Sequence, residues 1–136
     1  RMLNMIHDTS SVLDNRKILL VDDDMRNVFA LSSILEEQSM QVVMAKDGID
    51  CLEKMEEHQD IDIVLMDIMM PRMDGYETMS NIRKNPKYKN LPIIALTAKA
   101  MKGDRSKCIE AGASDYLAKP VNHEKLVSML RVWLYR

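Results

Sequence analysis

The sequence has few of the features that would place a chain outside the ordinary globular domains. Only 2 of its 136 residues are cysteine, in no CxxC or Cys/His pattern, which excludes a structural zinc site and gives no basis for a disulfide framework. Aromatic residues make up 4%, and no apolar run approaches the roughly 20 residues that cross a bilayer. Positive charge is not in excess either, since 19 Lys and Arg stand against 21 Asp and Glu. Neither nucleic acid nor direct membrane contact is therefore expected.

Short apolar runs alternate with segments of helical periodicity from residue 17 onward. The runs lie at 17–22, 41–45, 61–67, 92–97 and 115–118, and the helical segments at 25–38, 48–58, 75–84, 102–111 and 122–135. The central runs ILLV, IVLM and IIAL are apolar throughout, which is typical of parallel strands buried on both faces. Five strands alternating with five helices predict an α/β domain whose parallel sheet is covered by helices on both sides.

The beginning of the chain differs from the rest, because it shows no clean period and is rich in Asn, Asp, Ser and Thr. We interpret residues 1–16 as a linker or flank and residues 17–136 as one domain. The chain begins with Arg1 rather than Met, and no further domain follows the last predicted helix. We therefore expect it to be a piece of a longer protein.

Charged and hydroxyl residues stand where the predicted strands end. They are Asp22, Asp23 and Asp24 after the first strand, Asp67 after the third, Thr97 after the fourth and Lys119 after the fifth. The carboxyl ends of parallel strands meet at one edge of a sheet, where ligands bind in folds of this class. Carboxylates gathered there repel one another unless a cation joins them. Oxygen ligands favour Mg²⁺, with Mn²⁺ as a second candidate.

This set of side chains predicts phosphoryl transfer to an aspartate. A carboxylate can act as the nucleophile and form an acyl phosphate. A divalent cation and a lysine ammonium would neutralise charge on the phosphoryl oxygens, while a threonine hydroxyl donates a hydrogen bond to one of them. The residue types alone leave open which carboxylate is the nucleophile.

Four motifs, in order along the chain, resemble the receiver domain of response regulators in two-component signalling. They are VDDD, LMDIMMPRMDG, IIALTA and DYLAKP, and the resemblance covers about residues 17–135. It implies a flavodoxin-like, doubly wound fold with a parallel five-stranded sheet of order 2-1-3-4-5. It also implies that the domain accepts a phosphoryl group from a histidine kinase or a histidine phosphotransfer protein and changes conformation to signal.

The resemblance assigns roles to the residues at the strand ends. It implies that Asp67 is the phosphoacceptor and that Asp22, Asp23, Asp67 and the backbone carbonyl of Met69 form the metal site. Asp24 is expected to be a spectator in this cluster. Asp74, in an Asp-Gly pair, is expected to serve a turn rather than the metal.

Other residues match the parts of the family that respond to the phosphoryl group. Thr97 and Lys119 match the hydroxyl and the ammonium that contact it, and the Lys119–Pro120 bond is expected to be cis. Thr97 and Tyr116 match the pair that switches conformation, with Tyr116 turning inward when the threonine moves.

The first helix offers a candidate docking surface. Val28, Leu31 and Leu35 share one stripe at helical spacing, and Phe29 lies roughly opposite. In the family this helix docks the phosphodonor protein, so Met25, Arg26 and Phe29 are the candidates for partner contact.

Two alternatives remain open at this point. In a haloacid-dehalogenase-like phosphatase, Asp22 would be the nucleophile and Asp24 the acid/base. That reading lacks the late acidic pair it needs and leaves Asp67 without a role. The second is a binding module that works without phosphorylation, against which the complete set of strand-end residues argues.

The residues 101–126 resemble receivers of hybrid histidine kinases in particular. Of a hybrid kinase and a stand-alone receiver, we therefore favour the hybrid kinase as the origin, and we expect a cytoplasmic domain whose parent can itself be a membrane-bound sensor kinase with protein-histidine kinase activity. The domain alone is expected to catalyse only its own phosphorylation and dephosphorylation.

Overall fold

The computed structural model describes residues 12–98 and 102–135 of the chain. Its strands are β1 (Lys17–Val21), β2 (Gln41–Ala45), β3 (Ile63–Asp67), β4 (Ile93–Thr97) and β5 (Asp115–Ala118). Its α-helices are α1 (Met25–Glu37), α2 (Gly48–Glu57), α3 (Gly75–Arg83), α4 (Lys102–Ala111) and α5 (His123–Leu134), and a 3₁₀ turn (Pro86–Tyr88) precedes β4. The predicted alternation is confirmed, with every boundary within two residues of its predicted place.

The five strands form one parallel sheet of order β2-β1-β3-β4-β5, which confirms the order that the resemblance implied. The register sets which strand ends are neighbours. Asp67 at the end of β3 lies opposite Leu96, and Thr97 at the end of β4 lies opposite Ala118. The Lys119 N–H donates to the Thr97 carbonyl at 2.7 Å, so Lys119 follows directly at the same edge.

Alternating residues of the strands build a core on each face of the sheet. In β1, Ile18 and Leu20 pack on one face, where the apolar stripes of α1 and α5 cover them. Leu19 and Val21 pack on the other face, against side chains of α2, α3 and α4. All four are fully buried, as the unbroken run ILLV predicts for a strand covered on both sides.

Four helices begin at a side-chain cap. Asp24, Asp47, Asp74 and Asn122 each accept a hydrogen bond from a backbone N–H in the first turn of the helix that follows. Asp24 and Asp74 are thus helix caps, and the expectation that neither serves as a metal ligand stays a prediction.

The chain packs on the domain before β1 begins. Leu13 is completely buried in the core beneath α1 and α5, and the Asn15 N–H donates to the Ser39 carbonyl at 2.8 Å. Within the predicted flank, residues 12–16 therefore belong to the folded body. The linker stays a prediction for residues 1–11, which lie outside the described residues.

Candidate functional site

Three carboxylates converge at the carboxyl edge of the sheet. One oxygen from each of Asp22, Asp23 and Asp67 can be chosen so that all three atoms lie within 4.8 Å of one another. Asp22 and Asp67 are buried, with 1% and 3% of their surface exposed, whereas Asp23 faces solvent. The crossover topology brings these residues together, because β1 and β3 are adjacent strands although they are distant in sequence.

Only one oxygen of the buried Asp22 carboxylate accepts a hydrogen bond from the described residues. Its Oδ1 accepts a hydrogen bond from the Asp24 N–H at 2.9 Å. Its Oδ2 is buried but accepts no hydrogen bond from any described residue, and Lys119 Nζ lies 3.7 Å away. A buried anionic oxygen without a hydrogen-bond donor is costly, so this atom indicates a position prepared for a cation.

Lys119 joins the cluster from the end of β5. Its Nζ donates to Asp67 Oδ1 at 2.8 Å, and its side chain is 22% exposed. The Lys119–Pro120 peptide bond is cis, as the resemblance implied. The lysine thus supplies one positive charge to a cluster that holds three carboxylates.

The carboxylates of the cluster outnumber its one positive charge, that of Lys119. Burial raises the pKa of Asp67 to about 6, and the charge of Asp22 acts in the same direction, although Lys119 opposes both. Burial lowers the pKa of Lys119, but the hydrogen bond and charge of Asp67, with the charge of Asp22, outweigh it and leave that pKa above its ordinary value. One ammonium does not compensate the acidic groups, so a further positive charge would be bound favourably.

The residues present fit a hard divalent cation. Carboxylate oxygens are its preferred ligands, and Asp22 Oδ2 is the unpartnered acceptor that such an ion would satisfy. Met69 lies two residues beyond Asp67 in the loop that leaves β3, with its side chain 72% exposed. The metal role of its backbone carbonyl stays a prediction.

The two residues of the predicted switch lie on neighbouring strands. Thr97 is buried, with 4% of its surface exposed, and ends β4. Tyr116 is half-buried on β5, opposite Ala95, with the guanidinium carbon of Arg105 5.7 Å from its ring centroid. Their switching role stays a prediction.

An exposed apolar surface borders the acidic cluster. Met25 and Phe29 on α1 are 69% and 76% exposed, and Arg26 between them is exposed too. The placement of Phe29 opposite the buried stripe is confirmed, because Val28 and Leu31 are buried on the other side of the helix. Contact with a partner stays a prediction.

Sequence reasoning missed one contact close to the site. Arg72, in the loop after Met69, places its guanidinium Nη2 2.6 Å from Asp47 Oδ2, at the start of α2. In the sequence, Asp47 stands only as the first residue of an Asp-Gly pair and Arg72 only within the motif LMDIMMPRMDG, and neither position indicates the contact. No spacing rule connects the two positions, since the fold alone brings them together.

The part of the chain that the structure describes contains no helix with both the length and the apolar character needed to cross a membrane.

Comparisons with known proteins agree on one family. The model of the response regulator receiver domain matches residues 18–131. The transcriptional regulatory protein CpxR of Escherichia coli K12 is 39% identical over 120 residues, a match that covers 88% of this chain and 50% of CpxR. The chain thus spans about half the length of that relative.

Solved receiver structures are similar over nearly the whole chain. One is the receiver domain of sensor histidine kinase PA1611 from Pseudomonas aeruginosa PAO1, which has a magnesium ion coordinated in its active-site cleft. It is 38% identical with a TM-score of 0.82, and the match covers 90% of this chain and 99% of that one. Another is a chain from the Saccharomyces cerevisiae co-crystal structure of the histidine phosphotransfer protein Ypd1 with the receiver domain of Ssk1. It is 27% identical with a TM-score of 0.82, and the match covers 89% of this chain and 90% of that one.

These matches leave the phosphatase alternative without support, since the matched region includes Asp67 and the loop that follows it. The edge of the sheet carries the three carboxylates and the lysine that the four motifs predict, in the strand order of the family. We conclude that the chain belongs to the response regulator receiver domain family of two-component signalling.

Proposed function

We propose that this receiver accepts a phosphoryl group on Asp67 from the phosphohistidine of a histidine kinase or a histidine phosphotransfer protein. One observation carries the proposal above all. The Asp67 carboxylate belongs to the cation-binding cluster and is at the same time hydrogen-bonded to Lys119 Nζ at 2.8 Å. Asp22 Oδ2 lies farther from the same ammonium, at 3.7 Å.

The transfer needs positioned charge rather than a strong base. A carboxylate oxygen of Asp67 forms a bond to phosphorus while the bond between phosphorus and the imidazole nitrogen breaks, and the nitrogen keeps the electron pair. Lys119 exchanges its hydrogen bond from the carboxylate to a phosphoryl oxygen, and the hydroxyl of Thr97 donates to another. Asp67 must be ionised to attack, which its pKa of about 6 permits at neutral pH.

Mg²⁺ is the cation we propose for the site, with Mn²⁺ as a second candidate. Asp22, Asp23, Asp67 and the backbone carbonyl of Met69 would hold it. When bound, it supplies positive charge beside the phosphoryl oxygens. The magnesium ion in the similar PA1611 receiver supports this choice.

The signal is proposed to arise from Thr97 and Tyr116. A phosphoryl group adds about −1.5 to −2 charge and three strong acceptors at the edge of β3. If Thr97 turns toward it, space opens beside β4, and the half-buried ring of Tyr116 is the neighbour placed to occupy it. The phosphoryl group would favour one of two arrangements that already exist in equilibrium.

The phosphodonor is proposed to dock on α1. Met25, Arg26 and Phe29 form an exposed surface beside the acidic cluster, and exposed apolar side chains grouped in this way are typical of interaction sites. The similarity to a receiver crystallised with a phosphotransfer protein supports a partner of that class.

A hybrid histidine kinase is the parent that we propose, and the cytoplasm is the compartment. Similarity to the receiver of a sensor histidine kinase supports the parent. Cys51 and Cys108, both buried free thiols, are compatible with a reducing compartment.

Incubation with acetyl phosphate and Mg²⁺, followed by intact-mass measurement, tests the proposed chemistry. We expect one phosphoryl adduct in the wild-type protein and none in Asp67→Asn or in the presence of a chelator. Asp74→Asn is the matched control, because it makes the same chemical change at the end of the loop after β3 and keeps a good helix cap. An equal adduct in Asp67→Asn would refute the assignment, and loss confined to Asp22→Asn would favour the phosphatase mechanism.

A further inference from the structure

The loop between Asp67 and α3 carries the proposed carbonyl ligand. It comprises Ile68–Asp74 and is called the site loop below. Ile68 and Met70 are buried in the core, whereas Met69 is 72% exposed. The loop is closed where α3 begins, because the Gly75 N–H donates to the Ile68 carbonyl at 2.9 Å. A side chain at Gly75 would stand 2.5 Å from the Asp67 carbonyl oxygen, so only glycine fits there.

The middle of the site loop is tied to another element. Arg72 Nη2 lies 2.6 Å from Asp47 Oδ2, and the Asp47 side chain is only 6% exposed. The second oxygen of Asp47 accepts the Asp50 N–H at 2.8 Å and caps α2. Both oxygens of one buried carboxylate are therefore used, one for the start of α2 and one for the site loop.

The backbone of the site loop turns sharply at Arg72. Its φ is 65°, in the left-handed region that residues other than glycine rarely adopt. Such backbone persists where the surroundings determine it, and it is concentrated at functional sites. The Met73 N–H donates to the Pro71 carbonyl at 2.8 Å, so Arg72 is the centre of a γ-turn, and its side chain, which is 67% exposed, is held by the ion pair with Asp47.

We propose that Arg72 is a positioning residue for the cation site. Its ion pair with Asp47 holds the site loop so that the Met69 carbonyl and the Asp67 carboxylate face the same cation. Arg72 stands only three residues after Met69. Loss of the Arg72–Asp47 ion pair is therefore expected to displace the Met69 carbonyl. This inference rests on the proposed function, since it concerns the Mg²⁺ that Asp67 phosphorylation requires.

Three variants distinguish the effect of losing the Arg72–Asp47 ion pair from the effect of losing the folded structure. Arg72→Met removes the charge but keeps the length of the side chain, and Arg72→Lys keeps the charge without the planar fork. Asp47→Asn keeps the Oδ1 acceptor that caps α2 and removes the charge facing Arg72. Lys54→Met is the matched control, because it breaks the Lys54–Asp50 ion pair on the same helix without touching the site loop.

Mg²⁺ binding is measured first without any phosphodonor, by calorimetric titration and by the Mg²⁺-dependent rise in melting temperature. We expect Arg72→Met and Asp47→Asn each to weaken Mg²⁺ binding by about tenfold to a hundredfold, as loss of a residue that orients metal ligands typically does. Arg72→Lys should recover part of the affinity, and Lys54→Met should bind as the wild type does. The double variant should be no worse than either single one, because both remove the same interaction.

Phosphorylation kinetics distinguish positioning from loss of structure. In the variants, the Mg²⁺ concentration for half-maximal phosphorylation should rise, while the rate at saturating Mg²⁺ approaches that of the wild type. Unchanged Mg²⁺ affinity in Arg72→Met and Asp47→Asn, beside normal wild-type binding, would overturn this inference alone. If Arg72→Met does not fold, Asp47→Asn and Arg72→Lys decide by the same criterion. Wild-type protein that neither binds Mg²⁺ nor forms the adduct would overturn the proposed function, and this inference with it.

Discussion

At the scale of single residues, the buried carboxylates of the site lower the stability of the fold when no cation is bound. Asp67 and Asp22 are both buried, and a single lysine, Lys119, forms ion pairs with both. The Oδ2 atom of Asp22 accepts no hydrogen bond from the described residues. A fold selected for stability alone would pair or remove these charges. The arrangement suits a site that must bind a cation, because the negative charge of the cluster exceeds the single positive charge of Lys119.

The raised pKa of Asp67 predicts how stability depends on pH when no metal is present. The native pKa is about 6 against a reference value of 3.8, so between these values the native state holds more protons than the unfolded state. Stability therefore falls as pH rises from about 4 to about 6, and the full penalty remains above that window. In a chelator at neutral pH, Asp67→Asn should raise the free energy of unfolding by on the order of 1–3 kcal/mol.

Urea unfolding of both proteins across this pH range checks the prediction. The advantage of Asp67→Asn should shrink as the pH falls and disappear below the reference pKa of 3.8, where the wild-type carboxyl is protonated in both states. Asp14→Asn, at an exposed aspartate, is the control for a general effect of charge. A stability difference that does not change with pH would show that desolvation of Asp67 is not its cause.

At the scale of helices and strands, local patterns predicted most of the fold. Unbroken apolar runs such as ILLV identified the buried strands, and helical spacing over 75–84 predicted α3, which Asp74 caps. What the patterns missed depends on tertiary contact. Leu13 gives no periodic signal and is buried because α1 and α5 leave room for it. The Arg72–Asp47 pair joins two loops that approach only when the sheet has formed.

Asp74 tests whether an acidic residue near the site serves the helix or the metal. Its carboxylate accepts the Glu77 N–H at 2.9 Å as the cap of α3. Asp74→Ala should therefore lower the free energy of unfolding by about 1 kcal/mol, whereas Asp74→Ser keeps a capping oxygen and most of that stability. Chemical unfolding gives the first result, and Mg²⁺-dependent phosphorylation of Asp74→Ser should match the wild type. A loss of phosphorylation in Asp74→Ser with an intact fold would make Asp74 part of the metal site.

At the scale of the whole molecule, β5 connects the site with the half-buried Trp133 on α5. The strand pairs with β4, with Thr97 opposite Ala118 and Tyr116 opposite Ala95. At its start, Asp115 accepts a hydrogen bond from the indole Nε1 of Trp133 on α5 at 3.2 Å. A rearrangement of Thr97 and Tyr116 would therefore reach the environment of this indole, and Trp133 is the single tryptophan of the chain.

Trp133 fluorescence consequently reports whether phosphorylation of Asp67 moves the switch. We expect the emission of the wild-type protein to change when acetyl phosphate and Mg²⁺ produce the adduct, and to stay constant in Asp67→Asn under the same conditions. Thr97→Val keeps the shape of the side chain but removes the hydroxyl, so this variant should show a smaller change at equal phosphorylation, measured by intact mass. Because indole emission depends on its hydrogen bond and exposure, a constant spectrum in fully phosphorylated wild-type protein would mean that β5 does not move against α5, and the proposed switch through Tyr116 would have to be given up.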